Sequence, residues 1–458
     1  MSTNHLSSTD NNQGLRRVLG PLDATCIVIG AVVGVGIFFT PSRVAQLAGS
    51  GGPVLLAWAI GGAIALLGAL TYAEIGGMFP RSGAQYEALR DAYGPLPAFL
   101  FVFCNSTAIQ AGSTAIIALI CTENLGVALC GGVPRAPWLT VISAILIAGL
   151  VIANVVGVRW GSGIQNITVL AKLATLLLVT LLALLTRRAE PIVPMLPIAM
   201  PISEWNIVGA VCAALVPILF SFGGWQHALW IAGEIRTPQR TVPGAIICGI
   251  VVVIASYLLV NWAYLRLLGY EGVAASTTLA ADAVAAVWPG TGRRIISAAV
   301  ALSALGVLNA QLLSGPRLVF GMAVDGRFFS IFGRVHSRFA TPSGAILLIG
   351  GMALVLLSAA GRDAVNRLLT GVVSVDSIFF VLTGFAVVVL RWRQPTTARA
   401  IRVPGYPVVP LLFVLGEIGI VVGSYWDPAV RAAALIGLGW IALAVVCYLL
   451  FFRHPRRT

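Results

Sequence analysis

The chain has 458 residues, of which 58% are hydrophobic and only 10% are charged. A soluble domain carries about 25% charged residues, so this composition, with a mean hydropathy of +0.95, excludes an ordinary soluble protein and predicts an all-α polytopic membrane protein. The formal net charge of +13 does not predict a nucleic-acid partner, because the arginines are scattered and form no basic patch interleaved with aromatic residues.

Twelve apolar runs are long enough to cross a bilayer, which takes about 20 residues. We number them spans 1 to 12. They are preceded by a polar stretch at 1–20, which we predict to be a disordered cytosolic tail, and followed by a short cytosolic tail at 453–458. The spans lie at roughly 22–48, 54–78, 96–123, 138–156, 164–186, 207–233, 243–268, 292–322, 343–360, 367–390, 407–425 and 431–452.

The arginines between the spans predict the orientation. With the N-terminus inside the cell, 17 arginines fall on the cytosolic side and 9 on the outer side. Because cytosolic loops carry an excess of basic residues, we expect both termini to be cytoplasmic in a multi-pass protein of the plasma membrane.

Lys172 is the single lysine among 29 basic residues, and it lies near the middle of span 5. It is 13 residues from Arg159 and 15 from Arg187, roughly 20 Å from either end of the helix. A cation at this depth costs about 2.5–3.5 kcal/mol and usually faces the protein interior, where it serves a function. Lysine, unlike arginine, can also release its proton when desolvated.

Seven cysteines and four histidines are dispersed along the chain. Their spacing matches neither a metal site nor a catalytic Cys/His pair. We therefore expect no metal, no cofactor, no catalytic residues and no enzymatic activity.

Two spans contain closely spaced glycines near their middle: Gly34 and Gly36 in span 1, and Gly223 and Gly224 in span 6. One such pair is equally consistent with close helix packing. Two pairs that open two five-span halves, about 22–186 and 207–390, instead indicate interrupted helices around a transport site. A break exposes amides on one side and carbonyls on the other, which suits the carboxylate and ammonium of an amino acid.

Motifs along most of the chain resemble the amino acid–polyamine–organocation superfamily, and within it the L-type amino acid transporter branch. The resemblance runs in order from about residue 20 to 425. It is carried by GVGIF at 34–38, PRSGAQY at 80–86, FSFGGWQ at 220–226, EIRTPQRTVP at 234–243, NWAY at 261–264, SALG through SGPR at 303–317 and RVP at 402–404.

The resemblance implies a 12-helix fold. Its transport core at 21–400 consists of two inverted five-helix repeats, and two further helices follow at 401–452. Such a core works by alternating access around a site at the membrane midplane.

The resemblance also implies roles for individual residues. The amides at positions 35–37 would hold the substrate carboxylate, and carbonyls near position 32 and at 220–223 would accept its ammonium, with Phe220 as a gate. Gly224 and Gln226 would shape the side-chain pocket. The implied substrate-binding set is Val32, Gly34, Val35, Gly36, Ile37, Phe220, Ser221, Gly223, Gly224 and Gln226.

Lys172 matches a lysine that takes the place of a coupling cation in sodium-independent members of the family. By resemblance, Ser303 would face Lys172 and span 1 across that position. Val35 departs from the pattern, because the family usually has a small polar residue there. Asn261 and Asp376 are candidates for the substrate path.

Acidic residues lie within or at the ends of spans, among them Glu74, Glu234, Asp376 and Glu417. For Glu74 and Glu234 we expect salt bridges to loop arginines. Asp376 could either pair with a cavity residue or line the substrate path. Glu417 lies outside the ten-helix core, so we expect it to serve packing or oligomer contact.

The function expected from these features is sodium-independent exchange of small or medium neutral L-amino acids. The broken helices carry no fixed carboxylate for a second cationic group, although that argument weakens if Asp376 reaches the cavity. The alternatives are proton symport through Lys172, a permease for cationic amino acids or polyamines, and an amino acid sensor without transport. A channel or an intramembrane enzyme is disfavoured, since the sequence shows neither a selectivity filter nor paired catalytic groups.

The expected partners are the amino acid substrate and the lipid bilayer, and a homo-oligomer is left open. Animal members of the family pair with a glycoprotein through an extracellular cysteine. Cys121 and Cys130 are the only cysteines near the outer face after span 3, and we expect no accessory subunit.

Overall fold

The computed structural model describes residues 14–38, 40–186, 214–215, 217–219, 221–288, 291–359, 362–426 and 428–453. Regular structure in these ranges is helical, apart from one parallel bridge between Leu19 and Ile235. The prediction of an all-α chain is therefore confirmed for the described residues.

The helices are numbered here in chain order. α5 contains a π-helical stretch at Asn105–Gln110, and α16 continues as a π-helix at Tyr448–Phe452. The bounds are α1 Pro21–Val32, α2 Thr40–Ala48, α3 Gly51–Met78, α4 Ala84–Tyr93, α5 Pro95–Cys130, α6 Ala136–Val156, α7 Val158–Leu185, α8 His227–Trp230, α9 Pro238–Ala275, α10 Leu279–Ala285, α11 Gly292–Ser314, α12 Pro316–Val324, α13 Ser343–Ala359, α14 Arg362–Arg393, α15 Val408–Trp426 and α16 Pro428–Cys447.

Nine helices of the described part are long and apolar enough to cross a membrane, and α1 and Ser343–Ser358 are shorter apolar helices. The chain is therefore a polytopic membrane protein, as predicted. The predicted spans missing from the nine are 1, 6 and 9. Span 1 is divided between α1 and α2, the start of span 6 at 207–213 lies outside the described residues, and Ser343–Ser358 falls just short in length.

The first helix is enclosed by three long ones. α1 packs against α7, α9 and α11, and α9 also packs against α3. Trp58 packs edge to face against Phe222 and Tyr257 beside the end of α1, and the three ring centroids lie 5.1–5.9 Å apart. The interruption that follows α1 is therefore surrounded by protein, as an interrupted helix in a membrane requires.

The late helix α15 packs against α3 and α14 rather than standing apart from them. The Phe413 ring on α15 lies 6.0 Å from Tyr72 and 6.2 Å from Trp225 between ring centroids. This contact seats α15 against the centre of the molecule, because Trp225 belongs to the second interruption.

The segment before α1 is ordered from residue 14, which corrects the prediction that a disordered tail extends to residue 20. Leu15 and Leu19 are each 1% exposed. The amides of Val18 and Leu19 both donate to Glu234 O at 3.0 Å, and Arg236 N donates to Leu19 O at 2.9 Å. Two leucines four residues apart bury one face of the segment, which the overall polar composition concealed. Residues 1–13 and 454–458 lie outside the described residues.

Candidate functional site

The predicted interruption in span 1 is present. α1 ends at Val32, residues 33–35 are not helical, and a 3₁₀ turn at Gly36–Phe38 leads into α2. Gly34 N donates to Val32 O at 2.7 Å, and Phe38 N donates to Val35 O at 3.1 Å. The break therefore presents the carbonyl end of α1 on one side and the first amides of a new helical segment on the other.

Lys172 on α7 caps the carbonyl end of α1. Its Nζ donates to Gly30 O at 2.8 Å and to Val33 O at 2.7 Å, and the residue is 1% exposed. A cation is stabilised at a helix C-terminus, where carbonyls lack intrahelical partners. The single lysine thus serves as a local counter-charge for the break.

Ser303 on α11 reaches one of these carbonyls and the next one along the chain. Its Oγ lies 3.4 Å from Val33 O and 3.4 Å from Gly34 O. Lys172 and Ser303 therefore meet at Val33 O, which places both residues at the interruption of span 1.

The predicted interruption in span 6 falls at 223–226, a turn that ends where α8 begins. Gly224 has φ +130°, and a Cβ atom there would lie 2.7 Å from the Ala31 carbonyl carbon. Only glycine permits this close approach of the two breaks. Gln226 Oε1 accepts a hydrogen bond from Gly224 N at 3.1 Å, which braces the turn.

Tyr257 on α9 joins the two interruptions. Its hydroxyl shares its proton between Val32 O at 3.1 Å and Ser221 O at 3.2 Å. Sequence reasoning missed this residue, because a tyrosine in an apolar run gives no sign of which neighbour its hydroxyl meets. Asn261, one turn further on, donates to Tyr257 O at 2.8 Å and is buried. It supports the helix and does not line the cavity described next.

A cavity of about 210 Å³ lies between the two interruptions. Of the implied substrate-binding residues, Ile37 is fully buried and is not in the lining of the cavity, although its neighbour Gly36 is, and Phe220 lies outside the described residues. The other eight line the cavity together: Val32, Gly34, Val35, Gly36, Ser221, Gly223, Gly224 and Gln226.

Later helices complete the wall with polar groups. Asp376 on α14 and Glu417 on α15 both line the cavity. Glu417 is packed between helices, as one of the two expected roles requires, because α15 lies against α3 and α14. Its carboxylate also stands at the cavity wall, which the sequence did not predict. Gln110 and Gln311 contribute amides from α5 and α11.

Two further carboxylates are fully buried in ion pairs away from the cavity. Glu74 bonds to Arg391 at 2.6 Å and lies 3.0 Å from Arg399 in the following loop. Glu234 bonds to Arg317 at 2.7 Å, with both side chains 0% exposed. The predicted salt bridges exist, although the partner of Glu234 comes from α12 rather than from a loop.

A cavity with a few polar groups between two interrupted membrane helices is the arrangement of a substrate transporter. The family model described as amino acid permease matches residues 19–452 of the chain. The chain therefore belongs to the amino acid permease family, and its resemblance to the L-type branch is confirmed by its relatives.

Three of these relatives illustrate the likeness. The serine/threonine exchanger SteT of Bacillus subtilis (strain 168) is 30% identical over 89% of this chain and 91% of its own length. The b(0,+)-type amino acid transporter 1 of Mus musculus is 29% identical over 88% and 81%. The large neutral amino acids transporter small subunit 2 of Mus musculus is 28% identical over 98% and 84%.

These names describe transporters, so the chain is an amino acid transporter homologue and not an enzyme. The name of the third relative describes a small subunit. The expectation that this chain has no accessory subunit therefore has no support from its relatives.

Proposed function

We propose that this protein is a secondary transporter that binds the head group of an amino acid between its two interrupted helices and exchanges substrates by alternating access without sodium. The observation that carries the proposal is that both interruptions line the same cavity. A zwitterion needs hydrogen-bond donors and acceptors a few ångströms apart, and the cavity offers both.

The carboxylate would bind the amides that open the segment after the first break, at Val35, Gly36 and Ile37. The amides of a first helical turn lack intrahelical acceptors and attract anions. The ammonium would be accepted by the carbonyls of Val32 and Ser221. Each of these already receives the Tyr257 hydroxyl, but a carbonyl oxygen has a second lone pair.

Lys172 supports sodium independence. In transporters of this architecture, carbonyls at an unwound helix coordinate the coupling ion. Here the ammonium occupies Gly30 O and Val33 O, and Ser303 Oγ lies near the second of these. A fixed positive charge at this point would make exchange independent of a sodium gradient.

The proposed architecture has twelve spans, with inverted repeats at 21–400 and two helices at 401–452. The two interruptions, which fall in the first and sixth predicted spans, support it. The arginine distribution supports cytoplasmic termini in a plasma membrane protein.

Small or medium neutral amino acids are the proposed substrates, because neither interruption, at 33–35 or at 223–226, carries a carboxylate. Cationic amino acids are a second candidate, favoured by Asp376 and Glu417 at the cavity wall. Proton symport through Lys172 and substrate sensing without transport remain rival functions that an uptake experiment separates.

The test is uptake of labelled L-alanine by proteoliposomes, empty or loaded with unlabelled alanine, with sodium or potassium as the external cation. We expect internal alanine to stimulate uptake equally in both salts. Uptake driven by an inward proton gradient would favour symport. Alanine binding without uptake would favour a sensor, and neither binding nor uptake of alanine or larger neutral amino acids would refute the proposal.

A further inference from the structure

Two carboxylates from different helices meet at the wall of the cavity. Asp376 on α14 and Glu417 on α15 both line it. Glu417 is 3% exposed, and its side chain has a hydrogen bond with Ser377, the neighbour of Asp376. Its Oε2 atom nevertheless has no hydrogen-bond partner among the described residues. The cavity therefore holds an acceptor with unused capacity at a place where water is scarce.

Glu417, which is buried, and Asp376, which is half-buried, differ from the other buried acids of the described chain. Glu74, Glu234 and Glu87 each have an arginine partner, at 2.6, 2.7 and 2.9 Å respectively. Asp376 and Glu417 form no ion pair with any described lysine or arginine. Lys172 does not supply the missing charge, since its Nζ is bound to the carbonyls of α1.

The neighbouring titratable groups that the structure describes form no ion pair with these carboxylates either. Tyr72 on α3 lies within electrostatic range of both carboxylates, and a phenol is neutral or negative. His227 also lines the cavity, and its Nδ1 is 2.6 Å from Ser314 Oγ. Burying carboxylates without a counter-charge is costly, so a cation from outside the chain is the group that this arrangement lacks.

A second unused acceptor lies in the same cavity. Gln110 sits in the π-helical stretch of α5, is 3% exposed and lines the cavity. Its Oε1 atom has no hydrogen-bond partner in the described part of the chain. An ammonium or guanidinium carries several donors and no acceptor, which matches the unused acceptor oxygens of Glu417 and Gln110.

We propose that Asp376, Glu417 and Gln110 form a cation subsite that takes the distal ammonium or guanidinium of a dibasic amino acid. The proposal rests on the proposed function, because the α-carboxylate and α-ammonium of the same substrate would occupy the two interruptions. Both ends of the ligand then contact one cavity of about 210 Å³. The chemical class of the ligand is an L-amino acid with a cationic side chain, such as lysine, ornithine or arginine.

The test compares ligands that differ only in side-chain charge. Purified protein is titrated with arginine and citrulline, and with lysine and norleucine, in competition with labelled alanine. We expect each cationic ligand to bind at least tenfold more tightly than its neutral counterpart. For Asp376→Asn and Glu417→Gln we expect arginine to bind about ten- to a hundredfold more weakly, the range for loss of one hydrogen bond to a charged group.

Citrulline affinity serves as the internal check on folding, and it should stay within about twofold in both variants. Glu271→Gln is the matched control, because Glu271 is an exposed carboxylate on α9 outside the cavity wall. Its removal should leave arginine binding unchanged, which separates the subsite from a general effect of net charge.

The outcomes distinguish the subsite from the proposed function. If neutral amino acids bind and cationic ones do not, the subsite is wrong and the head-group site stands. If citrulline binding tightens as the pH falls while arginine fails to bind, the carboxylates hold a proton and the subsite is also wrong. If no amino acid binds to folded protein, both proposals fail. Equal weakening of arginine and citrulline in the variants would likewise overturn the subsite.

Discussion

Replacing Lys172 by methionine removes the ammonium and keeps an unbranched side chain of similar length. The change leaves Gly30 O and Val33 O without the donor that lies 2.8 and 2.7 Å away. A buried acceptor that loses its partner costs about 1–3 kcal/mol. Ser303 Oγ remains 3.4 Å from Val33 O, so we take the lower end of the range, about 1 kcal/mol, for each carbonyl. The total for the two carbonyls is about 2 kcal/mol.

This cost falls on the carbonyl end of α1, which forms one side of the proposed head-group site. A penalty of about 2 kcal/mol on the binding-competent arrangement lowers the apparent affinity about thirtyfold. We expect Lys172→Met to bind alanine about thirtyfold more weakly and to lose most exchange. The measurement is alanine exchange into proteoliposomes, combined with alanine titration and the thermal transition of the purified variant.

Lys172→Arg separates positive charge from geometry. The Lys172 side chain packs closely against Gly306, because a Cβ atom at that glycine would lie only 2.8 Å from Lys172 Cε. The longer, planar guanidinium does not fit the site of a compact ammonium. We therefore expect this variant to lose exchange as well. Exchange by Lys172→Met within about twofold of the parent protein, at unchanged affinity and still without sodium, would refute the assignment of Lys172 as a cation surrogate.

Three further substitutions test the geometry around the interruptions. Tyr257→Phe should weaken alanine binding about fivefold, the effect of losing about 1 kcal/mol. Tyr264→Phe on the same helix is the control and should change alanine binding little, because its buried hydroxyl has no partner among the described residues. Equal effects of the two substitutions in alanine titrations would contradict this prediction. Gly224→Ala should destabilise the folded protein by about 2–6 kcal/mol through backbone strain and overpacking. Gly163→Ala is the control: its Cβ atom would meet nothing within 4 Å, so the temperature of the thermal transition should stay unchanged or rise slightly. Arg317→Met should lower the free energy of unfolding by about 3–5 kcal/mol, because it leaves the carboxylate of Glu234, which is 0% exposed, without its partner. An unchanged transition temperature would show that the pair is not needed for stability.

The interruptions and the lysine could be predicted from the sequence because each is a local exception to a strong pattern. Closely spaced glycines in two apolar runs weaken a helix wherever they occur, and one lysine at the centre of a span stands out without any knowledge of its neighbours. The structure places Gly34, Gly224 and Lys172 around the carbonyl end of α1.

Tyr257 and Glu417 could not be assigned from the sequence because their roles depend on which helix faces which. The Tyr257 hydroxyl acts on two carbonyls that are distant in sequence. The sequence places Glu417 after the ten predicted core helices. The packing of Phe413 against Tyr72 and Trp225 nevertheless holds α15 at the centre of the molecule. Long-range packing of this kind leaves no periodic signal in an apolar run.

The distribution of charge around the cavity links the two proposals. Lys172 is held at the carbonyl end of α1, whereas Asp376 and Glu417 stand at the wall without a cationic partner among the described residues. A neutral amino acid brings one positive and one negative group, both of which the interruptions bind, so it leaves the two carboxylates as they were. A dibasic amino acid brings one more positive group to the place where Glu417 Oε2 and Gln110 Oε1 have no hydrogen-bond partner among the described residues. Because electrostatic interactions strengthen when water is excluded, the second cationic group, rather than the common head group, would decide which substrates this cavity prefers.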